Sequence, residues 1–181
     1  MKKLLKHSLL FSIIIPFVIA ANCDNLTKIP LNVPYEREVS VSGTDNNISE
    51  SEFFCLDDAA DYIDNFDNIE TLLYVNAQYR TLSASPGLRG DLIIQVYQAD
   101  GVTLLLQVTV PNVQPEDYID NPIVIELSQA EINLINQYLA LGLQSALCFN
   151  TVLSVYNITA GSTPYELVGV VEIVIEATVK L

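Results

Sequence analysis

The chain contains one histidine, His7, and it falls inside an N-terminal apolar leader. Everything after that leader is therefore free of imidazole, which removes Ser-His-Asp and Cys-His catalysis and every histidine-ligated zinc or iron site. The seven glycines never cluster as a phosphate-cradling loop requires, so nucleotide chemistry is not indicated. Carboxylates are abundant, with 22 Asp and Glu. They are densest in LDDAADYIDNFDNIE, where helical spacing would put Asp57, Asp61 and Asp64 on one face and Ala59, Ile63 and Phe66 on another. Three carboxylates on one face can hold Ca²⁺, which prefers oxygen ligands, but the glycine of an EF-hand loop is missing. A solvated acidic face on a short amphipathic helix, with Asp57 and Asp58 favoured at its N-terminus, explains the same residues without a metal. No metal or cofactor site is assigned. A hydrolase would need two acids facing each other across a substrate, and nothing singles out a pair. Tyr62, Tyr74, Tyr79, Tyr97 and Tyr156 can either line a ligand surface or pack at the core edge with their hydroxyls in water.

Three cysteines remain to be placed: Cys23, Cys55 and Cys148. Cys23 follows a leader in which Lys2, Lys3 and Lys6 precede an apolar run from Leu9 to Ala21. That run has 13 residues, against about 20 for a bilayer-spanning helix, and Pro16 interrupts it, so the profile is that of a signal peptide over residues 1–22. Ala20, Ala21 and Cys23 at the end of such a leader resemble a bacterial lipoprotein precursor. The resemblance is confined to the leader and Cys23. It implies cleavage before Cys23, acylation of that thiol and a membrane-anchored exported domain. Ordinary signal-peptidase cleavage after Ala20 or Ala21 is the alternative. Lipidation of Cys23 would settle the odd cysteine count, leaving Cys55 and Cys148 either to pair across 93 residues in an oxidising compartment or to sit buried as free thiols. Asn25, Asn47 and Asn157 begin formal glycosylation sequons, which carry no weight in a bacterial exported chain.

Loss of residues 1–22 removes three lysines and no acid, leaving five basic against 22 acidic side chains, a balance of −17 over 159 residues. Such a surface repels nucleic-acid phosphates and anionic lipid headgroups alike, so nucleic acid is excluded as a partner and membrane attachment would have to be covalent.

The elements that position these residues read as strands. Residues 23–34, with Pro30 and Pro34 and no sustained period, read as a tether, and a single domain covers residues 35–181. YEREVSVSG alternates, with Tyr35, Val39 and Val41 on one face, and the polar GTDNNISESE is expected as a loop, either disordered or in contact with a partner. Leu72 to Leu82 is expected as one long strand with Leu73, Val75, Ala77 and Tyr79 sharing a face. LIIQVYQ and VTLLLQVTV flank Asp100-Gly101, a hairpin signal, with Pro111 ending the second run. A short strand at Ile123 to Leu127 precedes a helix that Ser128 and Glu131 cap, that Ile132, Ile135 and Leu139 face inward, and that Gly142 closes. ALCFNTVLSVYNIT and YELVGVVEIVIEATVKL finish the chain as long strands. The expected fold is mainly β, an antiparallel β-sandwich of about seven strands with one or two amphipathic helices, an up-and-down barrel being the alternative.

The functional expectation is a non-catalytic, envelope-anchored lipoprotein, a structural or binding module for another envelope protein or a surface polymer. A periplasmic carrier of an apolar small molecule, motivated by outward Val168, Val170 and Val174, and a Ca²⁺-stabilised adhesion module are the alternatives.

Overall fold

The computed structural model describes residues 28–145 and 147–181; the leader, Cys23 and the first part of the expected tether lie outside them. Eight strands build two four-stranded antiparallel sheets. They are β1 (Lys28–Gly43), β2 (Ile48–Cys55), β3 (Ile69–Ala84), β4 (Arg89–Gln98), β5 (Leu104–Val113), β6 (Ile123–Val124), β7 (Cys148–Ala160) and β8 (Tyr165–Lys180). One sheet runs β1-β8-β3-β6 and the other β2-β7-β4-β5. This is a β-sandwich with the double Greek-key strand order of a jelly roll, and its two sheets remain separate rather than closing into a barrel.

Alternation accounts for the core. Val33, Tyr35, Val39 and Val41 of β1, Leu92, Ile94 and Val96 of β4, and Leu167, Val171, Ile173 and Ile175 of β8 are buried between the sheets, while their neighbours along each strand point outward. Each fully buried Val, Leu or Ile contributes roughly 1.5–3 kcal/mol relative to exposure, so the interleaved faces hold the layers together.

Several segments depart from the sequence expectation, each for a local reason. The first strand begins at Lys28, seven residues before Tyr35, because β1 is a sheet edge and pairs only with β8. Pro30 and Pro34 are tolerated there, since an edge strand has a side with no ladder bond to donate. The second half of the segment expected as a polar loop is the start of β2, which pairs with β7 from Ile48↔Val155 to Cys55↔Cys148. It reads as polar because it too is an edge, with only Ile48 and Phe54 buried.

In β3 the ladder passes from Tyr74↔Ile175 to Asn76↔Val174, so Val75 is an extra residue in a bulge. A bulge resets the phase of the side chains. Leu72 and Tyr74 therefore face the core together with Ala77, Tyr79 and Thr81, whereas Leu73 and Val75, expected to share a face with Ala77 and Tyr79, are 43 % and 44 % exposed. Pro111 does not end β5, which continues to Val113 at the free edge of its sheet, and β6 is only two residues long.

The acidic stretch does not form one helix. It breaks into a 3₁₀ turn (Leu56–Asp58), helix α1 (Ala60–Asn65) and a second 3₁₀ turn (Phe66–Asn68), with Ala59 extended at φ −98° and ψ 123°. Helix α2 (Gln129–Leu139) has the expected capping box, in which the Glu131 amide donates to Ser128 Oγ and the Ser128 amide and hydroxyl donate to the Glu131 carboxylate. Ile135, Tyr138 and Leu139 are its buried face. Gly142 is not a C-cap. It lies in a 3₁₀ turn (Ala140–Leu143) where a Cβ would come within 2.9 Å of Leu56 Cδ1, so its missing side chain allows close packing.

Candidate functional site

Two surfaces of the sandwich carry organised polar chemistry. The first is the end where β2 stops and β7 starts. Cys55 and Cys148 are register partners on these adjacent strands and are joined by a disulfide. Beneath them Phe54 stacks on Phe149 at 4.9 Å between ring centres, and Tyr138 meets Phe149 edge-on at 5.4 Å. The Tyr138 hydroxyl donates to the Cys148 carbonyl at 2.7 Å and accepts from the Ala99 amide at 3.2 Å. Tyr62 Oη donates to the Gly142 carbonyl and Tyr35 Oη to the Leu56 carbonyl. These bonds tie helix α2, the β4–β5 turn and the acidic segment to one frame, each satisfying a group that burial would otherwise penalise.

Arg37 closes this end. It occupies an inward position of edge strand β1, and its Nη2 donates to Asp58 Oδ2 at 2.8 Å. The same Asp58 oxygen accepts the Cys55 amide at 2.8 Å. A cleft of about 200 Å³ beside this pair is lined by Tyr35, Glu36, Arg37, Phe54 and Asp58. Burial, followed by the negative field of Tyr62, Asp57, Asp58 and Asp61, pushes the Tyr35 phenol above its ordinary value. Tyr35 is thus a neutral hydrogen-bond donor at any physiological pH.

The calcium expectation meets a different geometry. Because the chain is extended at Ala59, Asp57 sits in the turn before α1 while Asp61 and Asp64 are carried by α1 itself. Among the described residues no three His, Cys, Asp or Glu side chains gather in a way that could hold a metal ion. Leu56 and Tyr62 are the buried anchors of the segment, and Ile63, expected inside, is exposed.

The expected tyrosine set divides. Tyr62 and Tyr79 are core residues, with burial raising both phenols and taking Tyr79 up to about 12 against the lowering effect of the Thr81 hydroxyl. Tyr74 is half-buried, and burial raises it as well. Tyr97 and Tyr156 point outward from β4 and β7.

Those two belong to the second surface, the outer face of sheet β2-β7-β4-β5. Register places its side chains in cross-strand rows. One row is Ser49, Ser154, Ile93 and Thr109, in which the Ser49 and Ser154 hydroxyls are 2.7 Å apart. The next is Ser51, Val152, Gln95 and Gln107, in which Gln95 Nε2 donates to Gln107 Oε1 at 2.8 Å. The third is Phe53, Asn150, Tyr97 and Leu104. None of these twelve positions is charged, in a chain of net charge −14. The outer face of the other sheet instead carries Glu36, Glu38, Arg80, Glu172 and Glu176.

Sequence reasoning missed Asp91, which organises one end of that second surface. Its Oδ1 accepts the Asn112 amide and its Oδ2 the Asn157 side-chain amide. Both asparagines have positive φ, 52° and 51°, and both lie where the ladders beside β4 become irregular. Asn47, in another formal sequon, accepts the Asn157 amide. The sequence signal was present in the asparagines, a residue type that tolerates left-handed backbone.

Among the described residues Asp91, Asp100 and Glu131 are held below their ordinary values. The Asn157 side chain does this for Asp91, Thr103 for Asp100 and Ser128 for Glu131. Each stabilises a bulge, a turn or a cap. A general acid requires a shift in the opposite direction.

Valines 168 and 174 are half-buried and Val170 is buried on the outer face of β8, flanked by β1 and β3. They do not line a space between the sheets.

No protein-family model matches this chain. No curated protein matches it either. Among solved structures, a chain from Desmodium yellow mottle tymovirus is similar over 84 % of this chain and 90 % of its own, at 10 % identity and a TM-score of 0.34.

Proposed function

We propose that this chain is a non-catalytic, envelope-anchored lipoprotein whose β-sandwich serves as a structural or binding module. The observation that carries the reading is the disulfide between Cys55 and Cys148. Disulfides persist in oxidising compartments, and with Cys55 and Cys148 joined to each other the third cysteine of the sequence is Cys23, directly behind a leader of signal-peptide type. Acylation gives that thiol a role and gives an acidic domain a way to stay at a membrane that its charge would otherwise avoid.

Intact and N-terminal peptide mass spectrometry on protein from the membrane fraction of the native host tests this. The expected result is a diacylglyceryl or triacyl mass on Cys23, lost in a Cys23→Ser variant. An unmodified N-terminus at Ala21 or Asn22 would overturn the anchor and bring forward a freely exported protein.

A further inference from the structure

The two sheets end at different heights. Strand β1 starts at Lys28 opposite Lys180, and β3 starts opposite Val179. Sheet β2-β7-β4-β5 stops at the level of Tyr35 and Arg37, where Tyr35 Oη donates to the Leu56 carbonyl and Arg37 to Asp58. Seven residues of β1 therefore run past it, about 23 Å of strand. The step this leaves is filled by the segment from Leu56 to Asn68 and by the Ala140–Leu143 turn. Leu56 and Tyr62 are buried there, Tyr62 Oη donates to the Gly142 carbonyl at 2.7 Å, and Gly142 lies against Leu56 and Leu72.

Apolar side chains stand exposed on both pieces of this filling. Ile63 and Leu141 are each 55 % exposed and Leu143 is 37 % exposed. Ile29, next to Lys28, and Val102, in the β4–β5 turn, are exposed at the same end. The turns at the opposite end, residues 44–47, 85–88 and 161–164, carry no exposed large apolar side chain.

An exposed apolar patch marks an interaction surface, and the tether selects its occupant. On the lipoprotein reading the anchor is Cys23, five residues before Lys28, and five residues reach at most about 18 Å. The stepped end is thus held close to the lipid surface. Strand β1 is 16 residues long, which places the opposite end about 50 Å farther away. Asp57, Asp61, Asp64 and Asp67 stand among the apolar residues. They turn away anionic headgroups and a second copy of this acidic chain. A zwitterionic headgroup carries an ammonium with which carboxylates can pair.

We infer that the stepped end rests on the membrane that holds the anchor, seating Ile63, Leu141 and Leu143 at the surface of a zwitterionic lipid. The inference rests on the lipoprotein reading and gives the anchored domain its orientation.

The chain contains no tryptophan, so single substitutions report depth without background. Ile63→Trp, Leu141→Trp and, at the far end, Thr44→Trp are purified from the native host and reconstituted into phosphatidylcholine–phosphatidylethanolamine vesicles, with and without brominated acyl chains. All three positions are exposed, and melting curves close to wild type certify that the variants are folded. Bromolipid should quench about half of the emission of Ile63→Trp and Leu141→Trp, as for side chains seated at the headgroup boundary, and none of that of Thr44→Trp. Adding phosphatidylglycerol at low ionic strength should lower the quenching. Unquenched emission at positions 63 and 141, equal quenching at all three positions, or quenching that phosphatidylglycerol leaves unchanged or raises overturns the proposal. Acylation is read separately by mass. If Cys23 carries no acyl chain the anchor reading fails, and the same variants are coupled through the Cys23 thiol to a maleimide lipid, Cys55 and Cys148 being joined to each other, so that the seat is still measured.

Discussion

At the scale of single residues, two positions show how narrowly the interior is built. A Cβ on Gly169 would fall 2.5 Å from Tyr79 Cε2, and Tyr79 is fully buried with its hydroxyl 3.0 Å from Thr81 Oγ1. The ring has nowhere to move. Gly169→Ala should therefore cost about 1–3 kcal/mol, the range for overpacking a tight core, and chemical denaturation would read it directly as a lower midpoint. Asp91 makes the opposite kind of prediction, one that depends on pH. Its folded value is held below the ordinary carboxylate value by the Asn157 side chain and then the Asn112 amide. The stability it adds is thus fully present above the unfolded carboxylate pKa, about 4, and disappears as pH falls through the lowered folded value. Asp91→Ala should melt below wild type at neutral pH, and the gap should close as the solution is acidified below that range. Neither residue was marked by motif or composition. Gly169 gains its meaning from a ring on another strand and Asp91 from two asparagines on flanking strands, and no sequence window contains both partners.

At the scale of elements, alternation was legible wherever a strand had one wet face and one dry face. It failed at edges and bulges. The β8 pattern from Val171 to Val179, the Asp100-Gly101 turn with Gly101 at φ +67° and the Ser128–Glu131 cap all stand where local chemistry put them. Strand β2 was invisible because an edge strand can leave most of its side chains in water. The bulge at Val75 inverted the reading of the first half of β3, since a single extra residue reassigns every side chain before it. This gives a sharp contrast between neighbours. Leu72→Ala should cost about 2–5 kcal/mol as a core truncation, and Leu73→Ala under about 1 kcal/mol as a surface change. Regular alternation through Val75 would reverse that order. The Cys55–Cys148 disulfide was one of two alternatives open to the sequence, which could not place the two side chains within bonding reach. The uncharged face could not be named in advance, because its rows are assembled from four strands drawn from residues 49 to 154.

At the scale of the whole molecule, the disulfide closes a span of 93 residues between neighbouring strands. Its removal in a Cys55→Ala, Cys148→Ala double variant should cost about 2–5 kcal/mol, and thermal melting under oxidising conditions would show a lower Tm than wild type. A Tm equal to wild type would mean that the aromatic stack of Phe54, Phe149 and Tyr138 holds this end unaided. The strand order has a further consequence in time. Strand β1 is bonded along its whole length to β8 and to no other strand, with Lys28 opposite Lys180 and Gly43 opposite Tyr165. A chain leaving a ribosome or a translocation pore presents β1 early, yet its partner arrives only after residue 165 has followed. Until then the first strand waits with its inward valines uncovered, and pairings of such sequence separation are slow to form. Completion of the sandwich therefore waits on the delivery of β8, and the inward face of β1 stays without its strand partner until then.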